Sequence, residues 1–283
     1  MKVRIKYTKS EYLRFIGHLD VMRYFQKAVK RAGLDIAYSK GFSPHQLMSF
    51  AAPLALGVTS EGEYFDAEFN SLVSSKELVR RLNEQMAAEM EVKDAVLLPD
   101  NAKNAMSVVA ASDYIITILD TVPAEVKKQM LALAPHLLEE ERIEILKKTK
   151  KNEKIEDIRP GILKLSVESY HSAKVLARDE SVVDSRGEKS HVPSESTKEN
   201  VLQNQYAEDG MAKDKLYMLL ATGSEYNLKP ELVIQALCRE IGYPYKRFDY
   251  KLHRLETYMK DENGAYRSLL ESGKQIETNL YEI

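Results

Sequence analysis

The sequence predicts an α+β fold made of two ferredoxin-like halves, with a disordered insertion in the second half. Three observations predict it: strands in which apolar residues alternate with polar ones, amphipathic helices, and the element order β-α-β-β-α-β, which occurs twice along the 283 residues. A chain of this length can form two cores of roughly 100–150 residues each. We therefore expect an N-terminal domain at 1–105, a C-terminal domain at 106–260 and a tail at 261–283.

The first half begins with a strand at Lys2–Thr8, where apolar and charged residues alternate. A helix at His18–Ala32 follows, and Gly33 is typical of the residue that ends a helix. The rest of the half is predicted to contain strands at Leu47–Ala52, Glu63–Phe69 and Val92–Leu98, and a helix at Ser75–Met90.

The second half repeats this order with extra strand material. Its predicted elements are a strand at Tyr114–Leu119, a helix at Pro123–Leu133, strands at Ile143–Lys147, Ile162–Val167 and Leu216–Ala221, a helix at Pro230–Ile241 and a strand at Phe248–Met259. Residues 172–213 are rich in Ser, Glu, Lys and Asp and show no sustained apolar periodicity. Such a segment buries too little surface to offset its ordering entropy, which predicts disorder.

The composition limits the chemistry of this chain. Its one cysteine, Cys238, excludes an intramolecular disulfide, a Cys-ligated iron–sulfur cluster and a Cys-rich zinc site. The first residues lack the apolar core of a signal peptide, and no apolar run approaches the roughly 20 residues of a membrane helix. We expect a cytoplasmic protein that contacts no membrane and holds no cofactor or metal of its own.

Charge is unevenly distributed along the first hundred residues. Residues 1–50 hold ten Lys and Arg against three Asp and Glu, a balance of +7, and residues 51–100 hold four against ten, a balance of −6. A basic segment of this kind can form a surface for an anionic ligand. Alternatively, the two segments neutralise each other in the fold.

The helix at His18–Ala32 separates its apolar and basic residues onto two arcs. The basic arc, roughly 100° wide, holds Arg23, Lys27, Lys30 and Arg31. Such a stripe could follow a phosphate backbone, or it could simply be a solvated helix face.

The segment before this helix has features of an anion site. Gly17 permits a close approach of the backbone to a ligand, and the N–H groups of the first helical turn could bind an anion that Arg14 also contacts. Asp20 could bind there too or complement the helix dipole. His18 lies on the core side of the helix, which favours a packed, hydrogen-bonded histidine over a ligand-binding one.

The segment Ala37–His45 after the helix is predicted to be a binding loop. It combines turn formers with Tyr38, Lys40, Gly41, Phe42 and His45. The two aromatic rings could stack on a base, or both could cover the edge of the sheet.

The two histidines His18 and His45 are the candidate catalytic residues. Together with Asp20 or Glu61 they could form an acid–base pair or a metal site. Their spacing follows no compact ligand motif, so we predict no metal site. Gly57 and Gly62, in the connection that also carries Glu61, predict backbone turns.

An ordered set of short motifs resembles the bacterial radical-SAM-associated protein family. The motifs are Arg14–Asp20, Arg31–Leu34, Ala37–His45, Ser49–Leu54 and Leu56–Gly57, with looser matches at Glu156–Pro160 and Asn227–Pro230. Gln46 and Leu47 depart from the family pattern, which has a proline and a basic residue there.

The resemblance implies a partner. Members of that family occur alone or fused after a radical SAM domain, so the resemblance implies a partner enzyme that holds the iron–sulfur cluster and S-adenosylmethionine. The leading hypothesis is an accessory module that presents RNA or a nucleotide-like anion to that enzyme. The alternatives are an RNA-processing or RNA-modifying enzyme that uses His18 and His45, and a structural subunit without a ligand.

Overall fold

The predicted α+β class is confirmed by the structure, whose described residues form a nine-stranded sheet and five α-helices. This computed structural model describes residues 1–148, 153–168, 214–223 and 226–277. The predicted disordered insertion at 172–213 therefore lies outside the described residues.

The first half follows the predicted order of strands and helices. Its elements are β1 (Lys2–Lys9), α1 (His18–Arg31), β2 (Met48–Phe50), β3 (Val58–Glu68), α2 (Ser75–Asn83) and β4 (Val92–Leu97). Helix α2 ends earlier than predicted because the side chain of Asn83 bonds to the backbone N–H and C=O of Val92, at 2.8 and 2.9 Å. These bonds replace a continued helix by a turn into β4.

The second half also keeps the predicted order and adds a hairpin. Its elements are α3 (Ala105–Val108), β5 (Val109–Ile118), α4 (Ala124–Leu133), β6 (Glu144–Lys148), β7 (Glu153–Asp157), β8 (Ile162–Glu168), β9 (Lys215–Ala221), α5 (Pro230–Glu240), β10 (Tyr250–Lys260) and β11 (Tyr266–Ser268). Strands β6 and β7 pair only with each other among the described residues, and β7 was not predicted.

One continuous sheet joins the two halves. The strand order is β4-β1-β3-β10-β5-β9-β8, with β2 and β11 added on β3 and β10. All described pairs in this sheet are antiparallel except β3 with β10, which is parallel and joins Val58–Ser60 to Leu252–Arg254. Strand β2 pairs with the other end of β3. The division into domains at 105/106 stays a prediction.

Each half packs helices on one face of the sheet. In the first half Phe25 of α1 and Phe65 of β3 are completely buried, as the apolar arc of α1 predicts. In the second half Leu237 of α5 and Leu252 of β10 are completely buried. Burying a side chain of this size stabilises the fold by roughly 1.5–3 kcal/mol, so these two cores hold the helices against the sheet.

The tail covers part of the opposite face. Residues 266–272 form β11 and a short 3₁₀ turn, and Leu269 in that turn is completely buried. Arg4 of β1 donates to the side chain of Ser272 at 2.7 Å and pairs with Asp66 of β3 at 2.8 Å. This pair shows that the basic and acidic segments of the sequence neutralise each other in part.

Gly62 lies inside β3, so the turn predicted there is wrong. A Cβ atom on Gly62 would come closer than 3.0 Å to the backbone of Glu256 in β10. The glycine therefore permits close contact between two strands. The turn predicted at Gly57 is confirmed by its φ of +79°.

In the described part of the chain, every helix is too short or too polar to cross a membrane.

Candidate functional site

The basic stripe of α1 faces solvent. Arg23, Lys27 and Lys30 are exposed. Arg31 is exposed as well, but its guanidinium donates to the backbone carbonyl of Gln85 at 2.7 Å. Asp20 lies 3.5 Å from Arg23 in an exposed ion pair, so it partly offsets the first cation of the stripe.

The loop that follows α1 is closed at its base and tied to the helix. Tyr38 and Gln46 form an isolated antiparallel bridge. Inside that bridge, the Ser39 N–H donates to the His45 carbonyl and the Ser39 hydroxyl lies 2.8 Å from His45 Nδ1. The Gln46 side chain donates to the backbone carbonyl of Gln26 in α1 at 3.2 Å. The loop therefore has a defined position beside the helix.

The tip of this loop presents its side chains outward. Phe42 is fully exposed, and half of the Tyr38 surface is exposed. Lys40 is exposed beside them, and Gly41 has a φ of +119°, which disfavours any residue with a side chain. The alternative in which both rings cover the sheet edge is wrong, because the Phe42 ring leaves that edge uncovered.

The two candidate catalytic histidines contact different partners. His18 is the first residue of α1, and its partly buried ring packs edge-on against Phe50 at 5.7 Å. His45 bonds to Ser39 within the loop, and its neighbour Gln46 bonds to Gln26 of α1. Gln26 lies eight residues from His18, about 12 Å along the helix axis. No contact in the described residues brings the histidines together, and their shared role stays a prediction.

The remaining predicted residues are spread over both faces of the sheet. The Arg14 carbonyl accepts from the Gly57 N–H at 2.8 Å, and its guanidinium lies 4.8 Å from the centre of its neighbouring Phe15 ring. Gly17 is the N-cap residue of α1, and it has no side chain with which to cap the helix. Glu61 lies 3.5 Å from His253, and their hydrogen bond is the main cause that lowers the Glu61 pKa.

A small pocket opens beside the start of α1. Its volume is about 10 Å³, enough for one water. It is lined by Tyr7, Lys9, His18, Val21, Phe50, Ala51, Ala52, Pro53, Leu54, Glu63 and Tyr64. Glu61 is not among the lining residues. Glu61 contacts His253 and Glu63 contacts Arg254, and these two consecutive residues of β10 point to opposite faces of the sheet.

Buried charges form the polar wall of the pocket. Lys9 is 2% exposed and its ammonium donates to the Ile16 carbonyl at 2.9 Å. Glu63 is also buried and accepts from Arg254 Nη1 at 2.9 Å. Burial lowers the pKa of Lys9, and the charge of Glu63 opposes that shift. Burial, followed by the charge of Glu63, raises the pKa of Tyr7.

Sequence reasoning missed most of this wall. Tyr7, Lys9 and the Arg254 that pairs with Glu63 were not candidate site residues, although His18 was. The usable signal was a charge at an inward position of a strand, where the alternation calls for an apolar residue. In the described part of the chain, no three His, Cys, Asp or Glu side chains group as metal ligands.

The fold and these features define an α+β protein with a basic, aromatic outer surface and a small polar pocket. The chain belongs to the family described as "Uncharacterized protein conserved in bacteria (DUF2344)", whose profile matches residues 2–230.

Comparison with known proteins finds a distant structural likeness and no curated relative. No curated protein matches the chain. Among solved structures it is similar to a chain of a "Cbf5-Nop10-Gar1 Complex", with 8% identity and a TM-score of 0.40, over 92% of this chain and 50% of that one. The chain thus spans half the length of that protein, and so distant a likeness carries no argument about activity.

Proposed function

We propose that the protein is a cytoplasmic accessory module that binds RNA or a nucleotide-like anion for a radical SAM enzyme. The ligand would lie on the basic-aromatic surface, which we define as Arg23, Lys27, Lys30, Tyr38, Lys40 and Phe42. The observation that carries this proposal is the fully exposed Phe42 ring on an anchored loop beside a helix with outward cations.

The physical basis is a combination of stacking and phosphate contacts. A base that stacks on an aromatic ring gains about 1–3 kcal/mol, and this gain depends little on sequence. The cations of α1 add a salt-dependent attraction to phosphates. Because the loop is closed and tied to Gln26, its backbone loses little freedom when a ligand binds.

The proposed partner is the radical SAM enzyme that the family resemblance implies, and it would supply the cluster and S-adenosylmethionine. Support comes from exposed apolar side chains near the start of α1, since such groups mark protein contacts. They are Tyr12, Phe15, Leu19, Leu56 and Phe248. The bond from the Gly57 N–H to the Arg14 carbonyl brings their segments together, and Arg247 approaches Gly57 from the third segment.

Fluorescence anisotropy with labelled single-stranded RNA, titrated with salt, tests the ligand. The triple variant Arg23→Glu, Lys27→Glu, Lys30→Glu should reduce the slope of log K against log salt by at least about 2, since each single-strand phosphate contact contributes about 0.7. Lys128→Glu on α4, also exposed, is the matched control. Absence of binding at low salt would remove RNA as the ligand.

The stacking contribution has its own variant. Phe42→Ala should weaken RNA binding about tenfold, as expected for one lost stack, and leave the salt slope unchanged. Phe248→Ala removes an exposed ring elsewhere and should leave binding unchanged. Equal losses in both variants would contradict a specific role for the loop.

Co-expression with the radical SAM protein encoded in the same genome tests the partner. The intact chain should co-purify with it, and the double variant Phe15→Asp, Leu19→Asp should not. Val73→Asp, at another exposed apolar residue, is the control. If the intact chain forms no complex, the accessory role is wrong even where RNA binds.

A further inference from the structure

We infer that the pocket beside α1 binds a terminal oxyanion group, a carboxylate or a phosphate, through Lys9, Tyr7 and His18. This site goes beyond the proposed function, because none of the three residues belongs to the basic-aromatic surface that would bind RNA.

The first argument is the charge balance in the pocket wall. Lys9 and Glu63 line the pocket and are buried, and Arg254 is a second buried cation, which pairs with Glu63. Glu63 pairs directly with Arg254, whereas Lys9 forms no direct ion pair among the described residues. These three buried side chains together carry a net charge of about +1, and buried charges are normally paired.

The second argument is the set of hydrogen-bond donors that face the pocket without a partner. An ammonium has three donors, and Lys9 uses one of them, on Ile16. The hydroxyl of Tyr7 bonds to no described residue, although Tyr7 is 4% exposed. The imidazole of His18, which lines the same pocket, likewise bonds to no described residue. These donor groups line the pocket, so an acceptor atom that enters it can bond to them.

An oxyanion meets both requirements, whereas water meets only one. A water molecule in the pocket would accept hydrogen bonds from these donors but would leave the charge of Lys9 uncompensated. A carboxylate or phosphate oxygen accepts the same bonds and supplies the missing negative charge. Because the interior measures about 10 Å³, only the end of a ligand enters it, and the rest stays at the opening.

Tyr7→Phe is the sharpest variant for this site. The Tyr7 ring packs against Phe25 at 4.7 Å, and phenylalanine keeps that packing while it removes only the hydroxyl, which bonds to no described residue. Loss of a hydrogen bond to a charged group should weaken anion binding about tenfold or more. Tyr12→Phe, on a tyrosine that is 81% exposed, is the matched control and should leave affinity unchanged.

Isothermal titration calorimetry on the full chain, with inorganic phosphate and with acetate at constant ionic strength in chloride, measures this binding. We expect saturable binding of at least one of the two anions, weakened in Tyr7→Phe and abolished in Lys9→Met. The anion that binds more tightly tells whether the natural ligand ends in a phosphate or a carboxylate.

Two results would overturn the inference. One is that neither anion binds more tightly than chloride. The other is that Tyr7→Phe binds as tightly as the intact protein, since the anion would then lie elsewhere. The triple variant of the α1 stripe should keep its affinity for the small anion, so a failure of RNA binding and a failure of this pocket can be told apart.

Discussion

Two buried arginine–carboxylate pairs lie on opposite faces of β3, and they differ in how completely they are satisfied. Arg4 binds Asp66 through two bonds, at 2.8 and 3.1 Å, and Asp66 also accepts from the Ala105 N–H at 2.8 Å. Arg4 donates further to Ser272 and to the Lys103 carbonyl. Every part of this pair is used within the protein, so its role is structural.

The second pair leaves part of its surroundings unsatisfied. Glu63 accepts one bond from Arg254, which donates also to the Tyr114 hydroxyl at 3.0 Å. Next to this pair stand the Lys9 ammonium and the Tyr7 hydroxyl, which face the pocket. The difference teaches that a buried ion pair alone does not indicate a binding site. The donors beside it that bond to no other described side chain indicate one.

Breaking the satisfied pair should have the largest effect on stability. Asp66→Ala leaves the Arg4 charge buried and unpaired, and loss of one partner of a buried pair costs about 3–5 kcal/mol. Urea denaturation followed by circular dichroism measures the change. Added phosphate should stabilise this variant no more than it stabilises the intact protein. A cost near zero would mean that Arg4 finds another partner.

Changing the open pair should cost less and should respond to anions. Glu63→Gln keeps a hydrogen-bonding oxygen for Arg254 but removes the charge between two cations, for an expected cost of about 2–3 kcal/mol. Because the pocket becomes more positive, phosphate should restore more stability here than in Asp66→Ala, by mass action on the native state. If phosphate stabilised Glu63→Gln and Asp66→Ala equally, the two ion pairs would not differ in their response to anions.

A third buried carboxylate, Asp113, differs from both pairs because its hydrogen bonds come from hydroxyl groups and a backbone N–H and not from an arginine. Asp113 accepts from the Tyr258 and Tyr217 hydroxyls, at 3.0 and 3.2 Å, and from the Glu256 N–H. Burial raises its pKa from 3.8 to about 6, against the effect of these bonds.

The raised pKa of Asp113 predicts a pH dependence. The native state holds its proton more tightly than the unfolded state, so this contribution is complete below pH 3.8 and is lost as the pH rises through about 6. A shift of about two units corresponds to about 2–3 kcal/mol. Asp113→Asn should remove this loss, as measured by denaturation at pH 4 and pH 7, and Asp100→Asn, on an exposed carboxylate, should not.

The smallest effect is expected at an exposed pair. Asp20→Ala removes the 3.5 Å contact with Arg23, where both side chains are mostly exposed. Solvent screens this pair, so the loss should stay below about 1 kcal/mol, including the interaction with the helix dipole. A larger loss would show that the start of α1 depends on Asp20 in a way that the pair does not explain.

Local sequence patterns predicted the helices and strands well, but they did not predict which distant strands pair in the sheet. Helix α1 was predicted at His18–Ala32 and is observed at His18–Arg31, because its apolar arc and Gly33 act within a few residues. The parallel joint of β3 with β10 is three residues long and connects parts of the chain about 190 residues apart. No periodicity in either strand encodes which other strand it meets.

The same distinction applies to the site. The exposed stripe and loop could be predicted because each is one continuous segment. The pocket could not, because the pairing of β1 with β3 brings its lining residues together, and the Arg254 that pairs with Glu63 comes from β10. A partial signal was present: Lys9 continues the inward side of β1, Glu63 that of β3 and Arg254 that of β10.

The pairing of β3 with β10 also sets when the charges around the pocket are complete during synthesis. Arg254 leaves the ribosome about 190 residues after Glu63, which at about 5–20 residues per second is a delay of about 10–40 s. During that time the Val58–Ser60 edge of β3 lacks its later neighbour, and the Glu63 carboxylate lacks its arginine. A nascent first half therefore carries every lining residue of the pocket but not the arginine that pairs with Glu63, and the charge balance inferred for the pocket is reached only when β10 joins the sheet.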